Sequence, residues 1–136
     1  MKQTQDLTQA ARDWIYSRYA ALFNPSLRIR ALSHTAHVEA FAAQLAREQG
    51  FDEDTAVLAA LFHDTATFLE NCPSRRHAEL SARLARAWLE EQGADPGQIE
   101  TISAMIARHS FKDRVDEPEA ELLKEADRLA HRLEKI

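Results

Sequence analysis

Leu58-Ala59-Ala60-Leu61-Phe62-His63-Asp64 is the stretch on which the reading of this 136-residue chain turns. Ala56, Ala59, Ala60 and His63 recur at the three- and four-residue steps of one helix face, so the imidazole shares a side with small apolar residues. Asp52 stands where it can cap such a helix, and the His-Asp pair closes it. The run therefore reads as a core helix that delivers an imidazole and a carboxylate to one place.

Apolar residues keep helical spacing from end to end and strand signals are almost absent, which predicts an all-α fold, a compact bundle of about six helices. A first helix spans about Asp6 to Phe23, with Leu7, Ala11, Trp14, Ile15, Arg18 and Leu22 near one face, and Asn24-Pro25-Ser26 stops it. A second runs from about Leu27 to Gln49 and ends at Gly50, a third follows Asp52, and Ser74 caps a fourth that runs to Gly93. Asp95-Pro96 followed by Gln98 starts a fifth, ending near His109, because the aspartate accepts from free amides and proline tolerates the first position. Ser110 to Glu117 is a polar loop, and Pro118 begins a last helix with Leu122, Leu123, Ala126, Ala130 and Leu133 facing inward. Residues 1–136 read as one domain: the N-terminal helix (about 6–23), with Trp14, Tyr16, Tyr19 and Phe23 as a lid, packs on a core over about 27–134.

Hydrophobic residues make up 45% and charged residues 29%, ordinary for a globular protein, and the net charge of -5 argues against general nucleic-acid binding or an anionic membrane surface. There is no apolar run of about 18 residues and no apolar signal core at the N-terminus, so a cytoplasmic location is expected. The lone Cys72, between Asn71 and Pro73, reads as a loop residue without an internal disulfide partner.

Four more residues join the His63-Asp64 pair. His34 shares a stripe with Val38, Ala42 and Leu45; His109 follows Ile102, Met105 and Ile106 at a helix end; Asp127 lies between Leu123 and Ala130 on the inward face. Burying a lone carboxylate costs several kcal/mol or forces protonation, so an inward Asp127 calls for a cation or a strong hydrogen-bond partner. Imidazole with carboxylate suits a divalent ion such as Mn, Fe, Co, Ni or Zn. Any one of these histidines alone reads equally as a hydrogen-bonded core residue; the joint pattern on separate helices favours metal. His77 shares a face with Leu80, Ser81, Leu84 and Trp88.

These segments resemble the HD-domain metal-dependent phosphohydrolase superfamily over about Arg28 to Arg132. His34-Thr-Ala-His-Val38 with Leu45-Ala46 is similar to its first motif, Leu58 to Asp64 to its His-Asp motif, Ile106-Ala-Arg-His109-Ser to a later histidine motif, and Glu125-Ala-Asp127-Arg-Leu129 to the terminal aspartate motif. The valine and Leu-Ala spacings place the first ligand at His34 and leave His37 at the rim, while His131 falls to a surface or supporting position. The segment Arg76-His77-Ala-Glu-Leu-Ser81 resembles the additional histidine motif of members that hold two metals. The resemblance then implies that Asp64 bridges the ions, with His34, His63 and Asp127 on one and His77 and His109 on the other; in one-metal members the set is smaller and His77 is a hydrogen-bonded neighbour.

The reaction implied is hydrolysis of a small phosphate ester or anhydride, such as a nucleotide or dinucleotide, by metal-activated water, with Asp64 and His63 as the catalytic pair. Arg28, Arg30, Arg75, Arg76 and Lys112 stand near the ligands, and Arg76, Lys112, Arg30 and His37 are the substrate-binding candidates; solvated charge is the alternative for each. After Asp64 the chain reads Thr65-Ala66-Thr67-Phe68, without the Glu-Asp pair of guanosine-tetraphosphate hydrolases, and no Gly-Tyr-Pro element occurs, so those activities are disfavoured. The same ligand set implies a second reading, an HD-fold di-iron oxygenase, and a third is a non-catalytic interaction domain. The expected partner is a small phosphorylated molecule, and self-association as a homodimer is left open.

Overall fold

A computed structural model describes residues 4–71 and 76–135. The sequence readings at Cys72, Ser74 and Arg75 lie outside the described residues. The described chain is all-α: α1 (Thr4–Ala20), α2 (Pro25–Gln49), α3 (Glu53–Phe62), α4 (Thr65–Leu69), α5 (His77–Glu91), α6 (Pro96–Arg108) and α7 (Pro118–Glu134).

α3 is the axis of the bundle. Each residue from Thr55 to Phe62 is buried, and α1, α2, α5, α6 and α7 all pack against it. A helix that is apolar all round must be covered on every side, and the others supply that cover. Asp52 caps it, accepting from the Thr55 amide at 3.0 Å. An Asp cap of this kind contributes about 1 kcal/mol. Asp95 does the same for α6, accepting from the Gln98 amide at 3.1 Å. Gly50, at φ 70, ends α2 in the left-handed region.

Asn24-Pro25 does more than stop the preceding segment. The Asn24 side chain accepts from the Leu27 amide at 3.0 Å and Pro25 takes the first turn, so α2 begins there, by the same logic as Asp95-Pro96. The first helix accordingly ends at Ala20, and Phe23 is 97% exposed rather than part of a lid. The lid consists of Trp14, stacked 6.1 Å from Phe62 and 6.2 Å from Trp88, and of Tyr19, edge-on to Phe68 at 5.4 Å. Leu133, expected inside, is 44% exposed, because α7 has run past the end of the core by its last turn. The short α4 was not legible as a separate element.

The loop between α6 and α7 is pinned from below. Lys124 is fully buried, and its ammonium donates to Asp116 at 2.8 Å, to Glu121 at 2.6 Å and to the Arg114 carbonyl at 2.9 Å. A buried ammonium persists only with such partners, and here they fix the loop that carries Lys112. Among the described residues no helix is long and apolar enough to cross a membrane.

Candidate metal centre

Five helices deliver side chains to one point at the core's edge. His34 comes from the middle of α2, Asp127 from α7, and His77 opens α5. His63 and His109 occupy the C-terminal caps of α3 and α6. Carbonyls in a helix's last turn are short of intrahelical donors. Each cap histidine exploits this: the Nδ1 of His63 donates to the Ala60 carbonyl and that of His109 to the Ile106 carbonyl, both at 2.6 Å. His34 Nδ1 donates instead to the Glu134 carboxylate, at 2.9 and 3.0 Å. A neutral imidazole whose Nδ1 carries the proton has a bare lone pair at Nε2. Three such lone pairs face the same two aspartates.

The Nε2 atoms fall into two groups joined by Asp64. His34 Nε2 is 3.0 Å from Asp127 Oδ1 and 3.5 Å from Asp64 Oδ2; His63 Nε2 is 3.2 Å from Asp64 Oδ2 and 3.5 Å from Asp127 Oδ1. Across the carboxylate, Asp64 Oδ1 is 3.4 Å from His77 Nε2 and 3.5 Å from His109 Nε2, and these two nitrogens are 3.3 Å apart. Within each group the donor atoms lie within 4.8 Å of one another, the spread a single cation can draw together. His63 Nε2 is buried and makes no hydrogen bond despite its two carboxylate neighbours. Lone pairs directed at carboxylates repel unless a cation or a proton stands between them, so these residues fit one or two divalent ions.

The electrostatics describe what a metal would displace. Burial opposes charge on His63, but Asp64 and Asp127 outweigh it and push the imidazole well above its ordinary range. Burial likewise opposes charge on His34, and Asp127 with Glu134 raises it nonetheless. Burial would raise both aspartates; instead His63, with His109 and His77, holds Asp64 well below the usual carboxylate range, and His34 and His63 do the same for Asp127. His109 is lowered, chiefly by burial. Without a metal, protons shared between these imidazoles and carboxylates would offset the charge of the two aspartates.

A cavity of about 320 Å³ opens over the second group, lined by Asp64, Thr67, His77, His109, Ser110, Lys112, Asp127 and His131. All six residues proposed as ligands from the sequence are brought together. Of the substrate-binding candidates, Lys112 is in the cavity wall, its ammonium 3.1 Å from Asp127 Oδ2. Arg76 is exposed at the start of α5. Arg30 and His37 lie outside the lining: Arg30 is 6.0 Å from the Phe68 ring centroid, and His37 Nδ1 is 2.9 Å from Glu134 Oε2. Glu134 itself was missed. The signal was the Asp127, His131, Glu134 spacing, which keeps one stripe of α7 over two turns.

Known proteins resemble this chain in sequence and in fold. The sequence profile of the HD domain matches residues 31–132. Ribonuclease Y of Pseudothermotoga lettingae is 30% identical over 108 residues, which are 79% of this chain and 20% of the ribonuclease, so the chain spans about a fifth of that relative's length. A crystal structure described as a predicted HD superfamily hydrolase from an uncultured Thermotogales bacterium superposes with a TM-score of 0.71 at 27% identity, covering 85% of this chain and 63% of the other.

Proposed function

The chain belongs to the HD-domain family, a superfamily of metal-dependent phosphohydrolases, and from that membership we propose that it hydrolyses a small phosphate ester or anhydride, nucleotide-like in size, at two metal sites that share Asp64. The observation that carries this reading is the division of Asp64's two oxygens between the His34, His63, Asp127 group and the His77, His109 group, directly under the cavity. Paired divalent ions supply Lewis acidity toward phosphoryl oxygens and lower the pKa of water enough for attack at neutral pH.

The chain's own residues do the rest. His34, His63, Asp64 and Asp127 would hold one ion; His77 and His109, with the other Asp64 oxygen, would hold the second. Asp64 and His63 are the catalytic pair in this scheme: Asp64 turns an oxygen to each group, and the His63 ring lies 5.4 Å from that of His34 and 5.1 Å from that of His109. Lys112 stands at the wall with its ammonium on Asp127 Oδ2, and from there it would reach a phosphoryl oxygen in the cavity. Ser110 and Thr67 line the same wall. The cavity of about 320 Å³ and the net charge of -5 favour a small anion over a polyanion such as RNA.

The test is phosphate release from a panel of nucleotides, dinucleotides and aryl phosphates under anaerobic conditions, by protein loaded with Mn, Co, Ni or Zn, with an RNA oligomer alongside. Turnover of small esters with the RNA intact is expected. Cleavage of RNA alone would overturn the size argument, and no metal uptake in any form would overturn the reading. The convergence of four histidines and two aspartates also supports a di-iron oxygenase; oxygen uptake by the iron-loaded protein without phosphate release would select it.

A further inference from the structure

We infer that Glu134 is a positioning residue that sets the tautomer and basicity of His34, and so the affinity of one metal site and not the other. The inference rests on the metal-site reading above.

The three candidate ligand histidines whose Nδ1 hydrogen bonds are described do not all use the same kind of acceptor. His63 and His109 each donate to a neutral carbonyl of their own helix. His34 sits in the middle of α2, where the carbonyls are taken by the helix's own amides, and has no such acceptor to hand. Its partner arrives from a different element: both oxygens of Glu134, in the last turn of α7, lie within 3.0 Å of His34 Nδ1. Glu134 is two turns beyond Asp127, so one stripe of α7 supplies the carboxylate at His34 Nε2 and the carboxylate at His34 Nδ1. The ring is gripped at both nitrogens by one helix.

His37, one turn after His34, donates from Nδ1 to Glu134 Oε2 at 2.9 Å, and His131 Nδ1 lies 4.0 Å from Oε1. These contacts hold the carboxylate in place. His37 thereby gains a role different from the substrate contact expected for it. A carboxylate behind a ligating imidazole fixes the ring and makes it a stronger donor, and its loss typically lowers metal affinity by about 10- to 100-fold. The effect should be confined to the group containing His34, since Glu134 makes no described contact with His77 or His109.

The test is calorimetric titration of the metal-free 136-residue chain with Mn(II), for wild type, Glu134→Gln, Glu134→Ala and His37→Ala, with helicity checked by circular dichroism. Wild type is expected to take two ions. Glu134→Ala should bind one of them about 10- to 100-fold more weakly and the other unchanged, and Glu134→Gln, whose amide oxygen still accepts from Nδ1, should recover part of the loss. His37→Ala should stay within a few-fold of wild type. Equal binding of both ions by wild type and Glu134→Ala would overturn the inference while leaving the metal centre standing. So would equal weakening of both ions, or a Gln variant no better than Ala. A wild type that takes up no metal would instead overturn the reading beneath it.

Discussion

The two halves of the centre are built to different standards. The His34, His63, Asp127 half is fastened by α2, α3 and α7, and its two imidazoles are 0% and 4% exposed. The His77, His109 half has one ligand on the cap of α6 and the other on the first residue of α5, where the His77 side chain is 19% exposed under the open cavity. Rigid, dry donors bind tightly because little must be ordered or desolvated on binding; a ligand at a helix's first residue is more easily displaced. On the proposed two-ion reading, the first half would retain its ion and the second would exchange it and meet the substrate.

The change expected to matter most breaks both halves together. Asp64→Ala removes the shared carboxylate and should lower metal affinity and turnover by more than about 100-fold, beyond what losing an outer partner costs, with the helical circular dichroism retained. Retention of both ions by elemental analysis would show that the halves do not share a ligand. His77→Ala separates them: bound metal should fall from two ions to one, with the tighter site unchanged in a competition titration. Loss of both ions would mean that the buried half does not stand alone.

Lys112→Ala should leave metal content intact and reduce kcat/KM by about 10-fold, the scale of one charge-assisted hydrogen bond to substrate. Weakened metal uptake would place Lys112 with the ligands instead. The smallest effect concerns pH and the metal-free protein. His34 and His63 are raised above 6.5 in the folded state, so the stability they contribute is present below 6.5 and is lost as pH rises through their folded values. His109 is lowered from 6.5, and Asp64 and Asp127 are lowered from 3.8, so their contributions are lost as pH falls. The melting temperature of the metal-free protein should therefore peak near 6.5, and added metal should remove the decline on the alkaline side by replacing the protons. A metal-free profile that keeps rising above 6.5 would show that His34 and His63 are neutral in the folded protein.

Helix identity was legible wherever a cap and a period agreed, as at Asp52, Gly50 and Asp95, because those signals act over three or four residues. Asn24 was read only as a stop, although its side chain caps the helix that follows. Leu133 satisfied the period of α7 yet faces solvent, since periodicity says which side a residue is on and not where the core ends. Lys124 gave no sign of burial: its partners Asp116 and Glu121 look like ordinary surface charges along the chain.

The sequence by itself determined the all-α class and the helix starts at Asp52 and Asp95, because helical period and cap chemistry are local; inward imidazoles and carboxylates, with the family resemblance for His77, pointed to the candidate centre. Only the tertiary structure decided which oxygen of Asp64 faces which histidines, that Lys112 rests on Asp127, and that Glu134 stands behind His34. Those contacts join residues that no local rule relates, such as His34 and Glu134, 100 positions apart, which meet only once α7 is packed against α2.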